Sequence, residues 1–188
     1  MKFSLLVRIP GWVQGEAIPS DLYKYENNAA KKVVIKINGS PVDYMMEKGY
    51  AVLNRSWKKN DVVEVSLPMD VQRVIASDKV KEDAGKIALQ RGPIIYCAEW
   101  KDNNGKATNI VLPANASFTS VSKPEMLGGI TTLESSAIAI VTDEKDNKVT
   151  TIQQPFVAIP YYAWANRGKG EMTVWFPEKI RDVEIISR

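Results

Sequence analysis

Cys97 and Glu99 stand two residues apart in the run Arg91 to Trp100. On one face of a strand, a thiol and a carboxylate at that spacing could act as nucleophile and acid. No base is near in the sequence to make the thiolate, and the chain has no histidine and no second cysteine. Those absences exclude Ser-His-Asp and Cys-His constellations, imidazole proton transfer, histidine-containing metal sites and an intrachain disulfide. Cys97 is therefore expected to be a small hydrophobe on a buried strand.

The most distinctive segment runs from Pro160 to Gly168 and holds Tyr161, Tyr162, Trp164, Asn166 and Arg167. Aromatic rings cover the apolar face of a sugar, while an amide and a guanidinium bond its hydroxyls, so this cluster could contact carbohydrate. The same residue types are enriched where domains meet, which makes packing or an interface the competing expectation. Trp12, Trp57, Trp100 and Trp175 read as core or interface anchors.

Carboxylates offer less. A glycosidase needs two of them held about 5–10 Å apart, yet the 22 acids here sit mostly beside lysines in turn-like stretches such as Glu47-Lys48, Lys81-Glu82-Asp83 and Asp143 to Asp146. Those are expected to be solvated loop charges. Asp102-Asn103-Asn104 supplies oxygens of the kind calcium takes but lacks the full loop spacing of a calcium site.

These residues sit in a chain of 188 residues with 45% hydrophobic and 25% charged residues, the composition of a globular protein. A formal net charge of +3 is too small to argue for nucleic acid or an anionic membrane as partner. Met1 to Val7 imitates the start of a signal peptide, but Arg8, Pro10 and Gly11 end the apolar run early, and a strand is the better reading. No apolar run approaches the roughly 18 residues of a membrane helix.

Positioning elements are strands throughout. Phe3, Leu5, Val7 and Ile9 alternate, and Val33, Ile35 and Ile37 alternate up to Asn38-Gly39, a strong hairpin signal whose far arm would be Val42 to Tyr44. Further strands are expected at 50–54, 63–67, 71–76, 87–90, 94–97, 110–112, 130–133, 137–141, 149–153, 156–159, 172–176 and 183–186. Only Asp21 to Lys32 could hold a helix, and it lacks an apolar face. Many short strands with frequent turns indicate an all-β chain of two small antiparallel β-sandwich domains in tandem, jelly-roll or Ig-like. The division is expected near the polar cluster Lys101 to Lys106, giving sandwiches over 1–100 and 101–188, with one merged β domain as the alternative.

Several of these segments together resemble the C-terminal part of glycoside hydrolase family 127, the β-L-arabinofuranosidase group. They are Val7 to Trp12, Ile37-Asn38-Gly39, Gly49 to Val52, Arg55 to Asp61, Leu67-Pro68-Met69, Gly85 to Pro93 and Pro160 to Gly168, in the family's order. The resemblance implies two β-sandwiches that follow an (α/α)6 barrel, where a cysteine nucleophile and a zinc held by cysteines and a glutamate carry out retaining hydrolysis. This chain corresponds to the sandwiches alone. No catalytic or metal position is then implied here, Cys97 does not match the barrel's paired cysteines, and zinc is implied only for the absent barrel. The implied role is a non-catalytic accessory region that braces its own catalytic domain. A carbohydrate-binding module for arabinose-containing glycans, using the Tyr161 to Arg167 cluster, is the alternative. A sheet edge left open by the missing part would allow an edge-strand homodimer. The compartment stays open, with the periplasm or the cell exterior favoured for the parent enzyme.

Overall fold

The computed structural model describes residues 1–27, 31–142 and 148–183. The chain begins with alternating residues that split between a core face and a solvent face, as a strand requires. Strand β1 (Lys2–Arg8) pairs antiparallel with β6 (Tyr50–Ser56), which also carries β5 (Met45–Glu47). A second small sheet joins β3 (Val34–Ile37) to β4 (Ser40–Pro41) and β7 (Val63–Ser66). Asn38 (φ 52°) and Gly39 (φ 79°) make the left-handed turn that this hairpin needs. Val42 N still bonds to Ile35 O at 2.9 Å, but the chain then leaves the ladder, so the far arm is shorter than the expected 42–44. The two sheets face each other across Ile9, Val33, Ile35, Ile37, Ala51 and Leu53, with Trp12 and Trp57 at the rim.

All other strands share one extended antiparallel sheet. Its path runs β11 (Ile110–Val111), β13 (Ile130–Thr142), β14 (Val149–Pro160), β10 (Ile94–Glu99), β9 (Lys86–Arg91), β8 (Val71–Ala76) and β2 (Tyr23–Tyr25). Strand β12 (Thr119–Lys123) pairs with β13, β15 (Met172–Thr173) with β10, and β16 (Phe176–Pro177) with β9. The sheet curls over itself. Leu112 N, just past β11, donates to Pro177 O in β16 at 2.9 Å, which links the far end of the path back to β9. The enclosed core holds Ile87, Leu89, Tyr96, Leu133, Phe156 and Phe176, and Phe156 meets Phe176 edge-to-face with centroids 5.3 Å apart.

The fold is all-β and antiparallel, and several local expectations change. Tyr23–Tyr25 is a strand where a helix was the only alternative to a loop; its tyrosines pair across to Val74 and Ala76, and residues 28–30 lie outside the described ones. The segments 130–133 and 137–141 form one strand, as do 149–153 and 156–159. Ser135-Ser136 and Gln154-Pro155 look like breaks in sequence, but the ladder of a two-stranded ribbon runs through them in register. The run 172–176 divides into β15 and β16, and the acidic loop 143–146 and most of the strand expected at 183–186 lie outside the described residues.

The expected boundary at residue 100 cuts through a single core. β9 and β10 before it pack with β11, β13 and β14 after it, whereas the other core draws only on residues up to Leu67. Trp12 and Met69 reach across this division to the turn between β9 and β10. There Gly92 has φ +58°, and a Cβ on it would run into Met69 Sδ and come within 3.6 Å of Trp12 Cη2. The left-handed backbone favours glycine, and a side chain here would have to displace the end of Met69. We expect Gly92→Ala to destabilise the chain by about 1–3 kcal/mol from the left-handed backbone alone, with overpacking added, read as a lower midpoint in urea.

Candidate functional site

The aromatic segment is not extended. After β14 the chain makes a 3-10 turn over Tyr161–Ala163, and Ala165 takes a left-handed conformation at φ 66°. Ala163 is buried, and the three rings point outward, with Tyr161 45%, Tyr162 68% and Trp164 42% exposed. Tyr161 and Trp164 lie parallel, 4° apart in plane with centroids separated by 6.0 Å. They are not packed beneath strands of this chain.

Arg167 faces the other way, while Asn166 stays exposed. Arg167 Nε donates to Glu99 Oε2 and Nη1 to Asp102 Oδ1, each at 2.9 Å, while Nη2 bonds to both carboxylates. These side chains are mostly buried, at 14% exposure for Arg167, 4% for Glu99 and 17% for Asp102. Bonding to Asp102 raises the Arg167 pKa against the opposing effect of burial, and Glu99 adds to the rise. Glu99 Oε1 also accepts from Ala165 N at 3.0 Å, which holds the left-handed residue in place. Asn166 Nδ2 donates to Ala163 O and Trp164 O within its own turn. Arg167 and the Asn166 amide nitrogen are thus both bonded within the chain.

Glu171 pins the other end of the loop. One of its oxygens accepts from Ala107 N at 3.0 Å, Thr108 N at 3.1 Å and Thr108 Oγ1 at 2.8 Å, while its own carbonyl accepts from Trp100 N at 3.0 Å. Burial works to raise the Glu171 pKa, but the bonds from Ala107 and Thr108 outweigh it and leave it lowered. The result is a rigid loop from 161 to 171 that carries exposed rings on an internally satisfied base.

Asp102-Asn103-Asn104 does not form a calcium loop. Asp102 is bound to Arg167, the buried Asn103 side chain donates to Glu99 O and Val157 O and accepts from Val157 N, and Asn104 Nδ2 donates to Gln154 Oε1. Cys97 is fully buried among Ile130, Ile159 and Ala163. Burial first, then the Glu99 charge, pushes its thiol up to about 12, so it is no nucleophile near neutral pH. Among the described residues no three His, Cys, Asp or Glu side chains gather in a metal-holding group.

Residues 1–69 match the family model described as "Beta-L-arabinofuranosidase, GH127 middle domain", and residues 71–177 match "Glycoside hydrolase family 127 C-terminal domain". The chain belongs to glycoside hydrolase family 127. The junction between the two matches falls at the division between the cores, except that β2, inside the first match, belongs to the second sheet. A non-reducing end β-L-arabinofuranosidase of Bifidobacterium longum subsp. longum is 32% identical over 184 residues, covering 90% of this chain and 25% of that protein. Among solved structures, a GH127 β-arabinofuranosidase, BT3674, aligns with TM-score 0.91 and 41% identity over 98% of this chain and 29% of its own. A GH127 β-L-arabinofuranosidase from Geobacillus stearothermophilus T6 aligns with TM-score 0.79 and 37% identity, over 95% of this chain and 27% of that one. The family 127 chain described here therefore spans about a quarter of its relatives' length.

Sequence reasoning located the aromatic turn but missed what holds it. The signal was faint, because Lys101 lies between Glu99 and Asp102 in sequence and stands as their nearest cation there. Arg73 was missed likewise; it bonds Glu178 Oε1 at 2.9 Å and Pro113 O at 2.7 Å, tying β8 to the loop after β11.

Arg167→Met leaves two buried carboxylates without their cation, and we expect a loss of about 3–5 kcal/mol in urea unfolding. Arg167→Lys recovers only part, because an ammonium cannot fork between both carboxylates. For Cys97, a thiol pKa raised from 9.0 to about 12 in the folded state favours the protonated form, so its contribution to stability is complete below pH 9 and is lost as pH rises toward 12. Alkylation of Cys97 at pH 8 should proceed only as fast as unfolding.

Proposed function

We propose that this chain is the non-catalytic β-sandwich region of a β-L-arabinofuranosidase-type glycoside hydrolase, and that it braces a catalytic domain outside it. The observation that carries this reading is the turn at Tyr161–Trp164. Its rings are exposed on a base that Arg167 pins from within, and Asn166, though exposed, bonds its amide nitrogen to its own turn. An aromatic surface of that kind suits a dry contact with another domain, where rings anchor a fully desolvated patch. Sugar recognition instead needs polar groups converging beside the rings, and Arg167 and the Asn166 amide nitrogen are already bonded within the chain. The named activities of the relatives and the small share of their length covered here support the same reading.

A second reading keeps support from one feature. The parallel, half-exposed rings of Tyr161 and Trp164 offer a stacking surface to an arabinose-containing glycan. The two readings part in solution. We expect the chain alone to show no hydrolysis of an aryl β-L-arabinofuranoside above a Cys97→Ala control, and its Trp164 indole NMR signal to ignore arabino-oligosaccharides. Turnover that Cys97→Ala abolishes would overturn the accessory reading. A saturable Trp164 shift, lost in Tyr161→Ala, would make the chain a binding module.

A further inference from the structure

At the open end of the second core, between β10, β12 and the turn after β14, lies a hollow of about 360 Å³. Tyr96 belongs to the core and is fully buried, yet its hydroxyl proton has no acceptor at this end. Beside it sits Arg91, whose Nε is buried and likewise unpartnered. The closeness of the two shows in the Tyr96 phenol, which burial raises and the Arg91 guanidinium lowers by its charge and by hydrogen bonding to the phenol oxygen. Ile94, Pro160 and the exposed ring of Tyr162 form an apolar wall around them.

Every other arginine among the described residues has a companion. Arg73, Arg167 and Arg181 meet carboxylates. Arg8 bonds Ile9 O and Gly49 O, and Arg55 lies over the Trp57 ring. No ion pair or carboxylate hydrogen bond reaches Arg91 among the described residues. A guanidinium is charged at every accessible pH, and a buried donor left unmade is costly. Two adjacent donors, one of them cationic, call for a single group with two acceptor oxygens and a negative charge. The wall contributed by Tyr162 is continuous with the aromatic turn, and about three quarters of a family 127 chain lies outside the part described.

We propose that the Arg91–Tyr96 hollow is a socket for the carboxylate of an aspartate or glutamate presented by the domain that precedes the middle domain in family 127 chains, with Tyr162 packing on its methylenes. This rests on the interdomain reading of the aromatic turn. It assigns that interface a charged centre inside an aromatic rim.

The test uses a chimera in which this chain replaces the matching part of its 41%-identical structural relative, together with the isolated chain. In the chimera, Arg91→Glu should raise the rate of proteolysis at the domain junction about tenfold or more, beyond any change that Arg91→Glu makes to the proteolysis of the isolated chain. An Arg91→Glu chimera cleaved no faster than its parent overturns the socket. If Trp164→Ala loosens the junction and Arg91→Glu does not, the socket fails and the interdomain reading stands; if neither does, that reading fails as well. Sodium acetate on the isolated chain keeps the proposal testable should the chimera not fold. Saturable movement of the Arg91 Nε–H signal, absent with matched chloride and lost in Arg91→Gln, supports the socket, and its absence overturns it. Acetate binding beside a chimera indifferent to Arg91→Glu would mean a free carboxylate ligand, which overturns the assigned occupant.

Discussion

Glu99 and Asp102 are acids placed where the sheet has already excluded water, and Arg167 is what makes that tolerable. A carboxylate with 4% of its side chain exposed has lost nearly all hydration, and such a group persists ionised only with a cation and full hydrogen bonding. Arg167 supplies both from 68 residues away in sequence, and Glu99 then uses its second oxygen to hold Ala165 N. The left-handed backbone at Ala165, the outward set of Tyr161, Tyr162 and Trp164, and the close seating of the loop on Trp100 all follow from that pin. Gly170 lies so tightly against the Trp100 ring that no side chain fits there. An exposed aromatic trio on a floppy loop would collapse onto the sheet; here the base is held by charge, so the rings stay presented.

The same logic separates the two halves of the chain. The first core is a small sandwich closed by residues up to Leu67, while the second is a curled sheet whose ends meet through the bond from Leu112 N to Pro177 O. They are joined where Trp12 and Met69 fill the space left by Gly92. The Arg91-Gly92-Pro93 turn therefore has two duties. One side of it receives the first sandwich, and Arg91 opens on the other toward the hollow beside Tyr162. A segment that reads as an ordinary tight turn between β9 and β10 is the place where the two cores meet and beside which the hollow opens.

Much of this was legible without coordinates. Alternation over Phe3 to Ile9, Val33 to Ile37 and Val63 to Leu67 specifies strands because each has one wet face, and Asn38-Gly39 specifies its turn because few residue pairs adopt two left-handed conformations in succession. The absence of histidine and of a second cysteine set the chemical limits directly. What stayed illegible were long ribbons such as β13 and β14. Ser135-Ser136 and Gln154-Pro155 interrupt the apolar pattern, and a ladder between two such strands needs only backbone groups, which carry no residue signature.

The sequence by itself determined the strands, the hairpin turn, the family and the chemistry that is excluded, since these depend on residue types and near-neighbour spacing. Tertiary structure alone decided which ends of the chain share a core, which way Arg167 points and whether the rings at 161–164 are inside or out. Those depend on partners separated by 60 or more residues, as with Glu99 and Arg167, and a guanidinium written in sequence looks the same whether it will bond a sugar, a buried carboxylate of its own chain or, as at Arg91, none within the residues described.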